Sequence, residues 1–209
     1  MQLAGKESWS VSFDLPEVLE FASYIGQQEG YNPEQSAVPA STAEAEWREW
    51  WLQVPELNMQ FMTSWQELIK ANPPDYSKMQ GLVPPFDSPD FNSFSTRPAL
   101  KALLHKHWDS FLKIRSRNGA KPTIAQFSEK VRKIQVQKFV QELEGVNKRQ
   151  ANPFKLKIYF VPWPENYERI AAPDLMVLST SYLNRGREKD FEGLLRAQIS
   201  KLGFEGKGV

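Results

Sequence analysis

Hydroxyl, aromatic and guanidinium side chains are concentrated in one short stretch near the C-terminus. The apolar run 175–178 is followed by Ser179, Ser181 and Tyr182, and then by Arg185 and Arg187. Such groups at a junction between a strand and a helix can bind an anion, helped by the first N–H groups of the helix. The preceding loop adds Trp163, Tyr167 and Arg169. The pattern predicts a ligand-binding surface formed by these eight residues, and the simpler interpretation is a capped turn with exposed arginines.

A second candidate surface is the basic stretch 101–138, which has ten Lys and Arg against two Asp and Glu. The turn signals Asn118-Gly119 and Pro122 interrupt it, which predicts a basic helical hairpin at 98–144. Clustered cations of this kind are typical of surfaces that contact the phosphates of nucleic acid. The residues expected to make those contacts are Lys113, Arg115, Arg117, Lys121, Lys130, Arg132 and Lys133.

The charge of the chain is split by position. Residues 1–100 have 5 Lys and Arg against 14 Asp and Glu, whereas residues 101–209 have 21 against 11. Two halves of opposite charge can steer a charged partner, or they can pair with each other within the chain or between copies of it. We predict that the charges largely neutralise each other in this way. A protein partner or a homo-oligomer is therefore expected, with nucleic acid as a possible partner.

Most common catalytic arrangements are missing from the sequence. The absence of Cys excludes thiol catalysis and Cys-ligated metals. His105 and His107 are the only histidines, and their i, i+2 spacing on a helix directs the rings to opposite sides. No glycine-rich nucleotide-binding motif follows a predicted strand. No metal site and no cofactor are predicted, and catalytic activity is uncertain, with a non-enzyme favoured.

Tryptophan is frequent in the chain, and three of its residues share one predicted helical face. A capping box starting at Ser41 precedes Trp47, Trp50, Trp51 and Val54, which are spaced i, i+3, i+4 and i+7. A stacking platform for bases or sugars is the functional interpretation, and a core face is the default. Pro55 is expected to end or kink this helix.

The element pattern predicts an α+β fold. Alternating apolar residues at 9–15 and at 156–160, with the apolar run 175–178, indicate strands, and apolar stripes between them indicate helices. Only twelve residues, 162–173, separate the last two strands, which argues against a crossover helix and favours an antiparallel pair. We expect a mainly helical single domain, 1–209, whose small, largely antiparallel sheet joins the N-terminal strand to two C-terminal strands.

A long segment rich in proline and aromatic residues, 72–97, lacks any sustained period. Loops of this length inside a domain are either packed on the body or act as lids or partner segments. Both interpretations stay open.

Together these features favour a non-catalytic binding or protein-interaction module of unknown ligand. A nucleic-acid-associated protein using the basic hairpin is the alternative, and an enzyme with an anion site near 179–187 is third. A chain without Cys, without a signal pattern and without an apolar run of about 20 residues is expected to be cytoplasmic, with no membrane segment.

Overall fold

The computed structural model describes residues 9–34, 37–71, 77–78, 84, 86–117, 127–164, 166–184 and 186–205. The chain divides into two compact units. We call residues 1–15 and 121–209 the sheet unit, and residues 16–120 the helical unit. The helical unit is thus inserted in the chain between the first strand and the rest of the sheet unit. The single-domain organisation stays a prediction.

The described residues of the sheet unit include the strands β1 Ser10–Asp14, β2 Lys155–Val161, β3 Glu168–Ala172 and β4 Leu175–Ser179, and the helices α4 Val136–Asn147 and α5 Glu188–Ser200. A helical segment at 127–132 precedes α4. The strand order is β1-β2-β4-β3. β2 pairs in parallel with both β1 and β4, and only β3 is antiparallel to its neighbour β4.

The predicted mixed α+β class is confirmed. The prediction of a largely antiparallel sheet of three strands is wrong. The interval 162–173 has no room for a crossover helix, yet it holds one return strand, β3, at the edge of the sheet. Five extended residues cover about 16 Å, enough to bring the chain back to the starting edge of β4. The sequence Glu168–Ala172 does not predict this strand, because it lacks apolar alternation. Its one large apolar side chain, Ile170, is 52% exposed.

Apolar residues of β2, β4, α4 and α5 form the core of the sheet unit, which includes Phe139, Ile158, Phe160, Phe191 and Leu195. The inward side of β1 packs against this core, as its alternation predicts. The ring of Phe13 lies 6.4 Å from the ring of Phe160 and 6.4 Å from that of Phe191. One face of the sheet is therefore covered by helices.

The helical unit contains α1 Glu17–Glu29, α2 Thr42–Lys70 and α3 Pro98–Arg117. The predicted N-cap is present, since Ser41 Oγ accepts from Glu44 N. The Glu44 carboxylate also reaches back, but it accepts from Ala40 N, the residue before the N-cap. The helix does not end at Pro55, because α2 runs through it. Pro55 is itself buried. The buried face continues from Val54 to Asn58, and the packing of this face outweighs one lost helical hydrogen bond.

Aromatic residues fill the core of the helical unit. Trp47, Trp50 and Trp51 are at most 1% exposed, so their interpretation as a core face is confirmed. Phe91 and Phe94, from the segment rich in proline and aromatics, are also buried. The ring of Phe91 lies 6.2 Å from that of Phe21. Phe91 and Phe94 are thus packed on the helices, while 72–76, 79–83 and 85 lie outside the described residues.

Candidate functional site

The serines predicted to bind a ligand hold a loop in place. Ser179 ends β4 and is fully buried. Its Oγ donates to the Trp163 carbonyl at 2.9 Å and accepts from Ser181 N at 3.0 Å. Ser181 Oγ donates to Asn166 Oδ1 at 3.0 Å. Both hydroxyls therefore fasten the loop after β2 to the turn after β4, a role that the sequence pattern did not separate from ligand binding.

Two of the predicted aromatic residues, Trp163 and Tyr167, are buried beside each other, with ring centroids 6.5 Å apart. The backbone carbonyl of Tyr167 accepts from Ser179 N at 2.8 Å. Arg169 lies on β3 opposite Val177 of β4. Trp163 and Tyr167 thus lie in the loop that the serines hold, and Arg169 lies on the edge strand that follows this loop.

The third aromatic residue, Tyr182, occupies the junction between β4 and α5. It lies in a 3₁₀ turn, Thr180–Leu183, and is 6% exposed. Its hydroxyl donates to Glu168 Oε2 at 2.7 Å. Burial, and then this carboxylate, raise the pKa of Tyr182 to about 12. The guanidinium carbon of Arg187 lies 5.3 Å from the centre of the ring. Tyr182 is thereby fixed as a neutral aromatic surface.

A cavity of about 290 Å³ opens beside Tyr182 within the sheet unit. Its apolar lining consists of Ile134, Tyr182, Leu183 and Phe191. Two lysines and two glutamates complete the lining: Lys130, Lys133, Glu188 and Glu192. The cavity thus combines an aromatic surface with side chains of both charges.

The elements around the cavity explain the position of each charge. Phe191 and Leu195 are buried on the inner side of α5, and Glu188 and Glu192 are one turn apart at its start. Glu188 Oε2 accepts from Gly186 N at 2.8 Å. Gly186 has a φ of +90°, a conformation that favours glycine. Cations come from the other side, where Lys130 Nζ donates to Asn184 Oδ1 at 3.3 Å.

The predicted ligand-binding set and the predicted nucleic-acid-binding set each contribute some, but not all, of their residues to this cavity. Tyr182 comes from the ligand set, and Lys130 and Lys133 come from the nucleic-acid set. The hydroxyl groups of Ser179 and Ser181 have structural roles. The first turn of α5, where an anion was expected to bind, carries the carboxylates of Glu188 and Asp190. Arg187 Nε lies 2.8 Å from Asp190 Oδ2, at an angle too oblique for a hydrogen bond. The anion-binding arrangement stays a prediction.

Three of the predicted residues cannot be placed. Lys121, Arg185 and the side chain of Arg117 lie outside the described residues. The turn of the predicted hairpin, 118–126, does so as well. Its first arm, α3, belongs to the helical unit, and 127–147 belong to the sheet unit.

Two cations of α3, Lys106 and Arg115, are paired with acidic residues of α1. Arg115 contacts Glu17, and its Nε lies 3.4 Å from Glu20 Oε2. Lys106 Nζ and His107 Nε2 both lie 2.5 Å from Glu29 Oε1. Lys106 and His107 hold the pKa of Glu29 below its usual value. Within the helical unit, the predicted neutralisation of basic by acidic residues is therefore observed at these positions.

Other members of the basic set differ in their surroundings. Lys133 Nζ lies 2.8 Å from Glu129 Oε1, one turn earlier in the chain. Lys113 and Arg132 are exposed. The two histidines of α3 also differ, since His107 is buried and His105 is exposed.

Sequence reasoning missed Glu188 and Glu192 as site residues. Their i, i+4 spacing at the start of an amphipathic helix was a usable signal for a charged rim. No local signal could show that residues 130–134 lie opposite this helix. That proximity depends on the packing of both segments on the same core.

Within the described ranges, no group of three or more His, Asp and Glu side chains is arranged to hold a metal ion. No helix among the described residues is long and apolar enough to cross a membrane. The chain matches no protein-family model, no curated protein and no solved structure. The function must therefore be argued from the geometry of the cavity.

Proposed function

We propose that this protein is a non-catalytic binding module whose ligand is a small amphoteric molecule with an apolar body. The observation that carries the proposal is the cavity of about 290 Å³ in which lysines and glutamates flank an aromatic surface. A cavity near 300 Å³ is at the small end of the range for small-molecule sites. A ligand of the size of one amino acid is therefore favoured over a nucleotide or a polymer.

Each group of lining residues accounts for one part of such a ligand. Lys130 and Lys133 supply cations for a carboxylate, because the Lys133–Glu129 pair is an exposed surface pair that is worth little. Glu188 and Glu192 supply anions for an ammonium group. Tyr182 and Phe191 provide apolar contact for the body of the molecule. A free amino acid with a large apolar side chain carries all three features.

The fixed position of Tyr182 supports binding over catalysis. Its phenol donates to Glu168, and with a pKa of about 12 it stays protonated at neutral pH. It is therefore suited to packing and poorly suited to proton transfer near neutral pH. A cavity whose aromatic wall is held rigid binds without the cost of ordering that side chain.

Binding is tested by calorimetry on the full chain with three probes that differ by one charged group. The probes are L-phenylalanine, 3-phenylpropionate, which lacks the amine, and phenethylamine, which lacks the carboxylate. We expect L-phenylalanine to bind at least about tenfold more tightly than either analogue, because each loses one charge-assisted contact. Equal affinity for all three, or no binding of any, would overturn the proposal.

Two variants localise the binding to the cavity. Lys133→Gln should weaken the binding of L-phenylalanine and of 3-phenylpropionate but leave that of phenethylamine unchanged. Glu192→Gln should do the reverse. Lys138→Gln is the matched control, because Lys138 lies in the same unit, outside the lining, and is similarly exposed, at 64% against 72% for Lys133. An equal effect of the control would contradict this site.

The remaining parts of the sequence-based interpretation are less favoured or stay predictions. Nucleic-acid binding through 101–138 is less favoured because Lys106 and Arg115 are already paired with carboxylates. An enzyme with an anion site near 179–187 is less favoured because Ser179 and Ser181 bind the loop. A cytoplasmic location and a homo-oligomeric or protein partner remain predictions.

A further inference from the structure

The strand β1 forms one edge of the sheet, and its outer side is free. Among the described strands it pairs only with β2. Ser10 N donates to Phe154 O at 2.8 Å, and in a parallel pair every second residue bonds to the neighbouring strand. The peptide groups of the odd-numbered residues Val11 and Phe13 therefore face outward. Among the described residues, neither has a backbone hydrogen-bond partner on that side.

The two edges of the sheet differ in how well they are protected against a further strand. Edge strands are usually blocked by a bulge, a proline or charged side chains. The other edge strand, β3, has a register shift between Ile170 and Ala172 and is followed by Pro173. By contrast, β1 is paired without any register shift, and its one charged residue, Asp14, is its last. The edge at β1 is therefore the one that can accept another strand.

The two faces of β1 determine what kind of strand can pair with it. The half-buried apolar side chains lie on the side of the core: Trp9, Val11, Phe13 and Leu15. The exposed polar side chains lie on the opposite side: Ser10, Ser12 and Asp14. A suitable neighbour continues both rows, with apolar residues at every second position and small polar residues between them. A second β1 has this alternation.

We infer that β1 pairs with β1 of a second copy of this chain, antiparallel and across a two-fold axis at Ser12. Val11 of one copy then lies opposite Phe13 of the other, and the two exchange both backbone hydrogen bonds. Ser10 lies opposite Asp14 of the second copy. This antiparallel register pairs all five residues of the strand. The two-fold axis repeats each contact, as in other symmetric dimers.

Charge complementarity favours a second copy over an unrelated strand. Ser10 is in register with Lys155 of β2, so their side chains share the exposed face. Lys155 is exposed and has no ion pair among the described residues. In the dimer, Asp14 of the second copy lies two strands from Lys155, about 10 Å between backbones, with only the small Ser10 side chain between them. A lysine and an aspartate can bridge that distance, and the symmetry provides this pair twice.

Sedimentation velocity on the full chain measures the self-association. Two paired strands of five residues make a small interface, so we expect a dissociation constant of about 1–100 μM. Over a concentration range of about 1–500 μM, the mean mass should rise from that of one copy toward that of two. The strand β1 contributes no residue to the lining of the cavity beside Tyr182. The inference is therefore independent of the proposed function.

A proline on the free edge tests the backbone pairing. Val11→Pro removes an outward N–H and no hydrogen bond to β2. It should raise the dissociation constant at least about tenfold, because each copy loses one new hydrogen bond and gains a ring between the strands. Ile170→Pro is the matched control on β3. Its N–H also faces outward, because Tyr167 O accepts from Ser179 N and the bonding alternates along the pair. The control should leave the dissociation constant unchanged.

A charge exchange tests the partner and the register. Asp14→Lys and Lys155→Asp each place like charges together and should raise the dissociation constant about fivefold. The double variant restores opposite charges and should return it to within about twofold of the wild-type value. Asp14→Lys also loses the hydrogen bond that Asp14 Oδ1 accepts from Leu15 N. Because the double variant lacks the same bond, a restored dimer reports on the charge pair.

Three outcomes would overturn the inference. The first is a wild-type protein that is monomeric over the whole concentration range. The second is a dissociation constant that Val11→Pro leaves unchanged or that Ile170→Pro raises equally, which would place the contact elsewhere. The third is a double charge variant that associates no better than either single variant. Circular dichroism checks the folding of each variant, and the exposed positions 14 and 155 keep the test readable if Val11→Pro does not fold.

Discussion

The carboxyl group of Glu20 should make the helical unit less stable as the pH rises. Glu20 lies on α1, its side chain is 17% exposed, and burial raises its pKa from 4.5 to about 7. Arg115 Nε at 3.4 Å favours the charged form, but the loss of hydration outweighs it. A group whose pKa is raised by folding contributes stability below its unfolded pKa. That contribution is lost as the pH rises through 7.

The structure sets an upper limit for this effect. The difference between a pKa of 4.5 and one of about 7 corresponds to about 3 kcal/mol at 1.36 kcal/mol per pH unit. Residual exposure of the side chain and the proximity of Arg115 reduce it, so we expect about 1–2 kcal/mol between pH 5 and pH 8. Glu20→Gln, which cannot ionise, should therefore stabilise the protein at pH 8 by about this amount and have a much smaller effect at pH 5.

Urea unfolding at pH 5, 6, 7 and 8, followed by tryptophan fluorescence, measures the difference between wild type and variant. Five of the seven tryptophans lie in the helical unit, so the signal reports mainly on the unit that contains Glu20. Glu17→Gln is the control, because Glu17 also contacts Arg115 but is more exposed, at 39%. A Glu20→Gln variant that is less stable than wild type at pH 8 would refute the reasoning.

Three further substitutions test individual contacts. Ser179→Ala removes the hydroxyl that holds the loop before β3 and should cost about 1–2 kcal/mol in thermal unfolding, whereas the same change at the exposed Ser12 should be near neutral. Glu168→Gln should lower the pKa of Tyr182 but leave it above 10, because burial, the larger cause of the shift, remains while the carboxylate no longer opposes the phenolate. ¹³Cζ NMR titration measures this pKa, and an unchanged value would contradict the contact. Trp47→Phe removes a buried hydrogen bond and leaves a cavity, so urea unfolding should show a loss of about 2–4 kcal/mol.

Several elements could be predicted from sequence because they depend on local periodicity. The strand β1, the N-cap at Ser41 and the tryptophan face of α2 follow from spacings that only one kind of element satisfies. The buried stripe Phe191, Leu195 and Ile199 of α5 is equally local. Each of these patterns places its apolar residues on one side of an element, whatever lies opposite.

The sequence failed where the outcome depends on a partner distant in the chain. The antiparallel sheet was wrong because parallel pairing of β2 and β4 is decided by an edge strand, β3, whose own sequence carries no signal. Pro55 did not end α2 because packing on both sides of it outweighs a local preference.

The candidate site shows the same difference between what the local sequence predicts and what contacts between distant segments decide. Composition by itself determined which chemistries were excluded and showed that the segments near 130 and 182 were rich in polar and charged groups. Only the tertiary structure decided that the serines hold a loop and that Tyr182 lines one cavity with Lys130 and Glu188. It also decided that the buried Trp50 Nε1 has no hydrogen-bond partner among the described residues. Composition and spacing are properties of neighbours along the chain. Cavities and unsatisfied groups are properties of neighbours in space, which folding brings together from segments tens of residues apart.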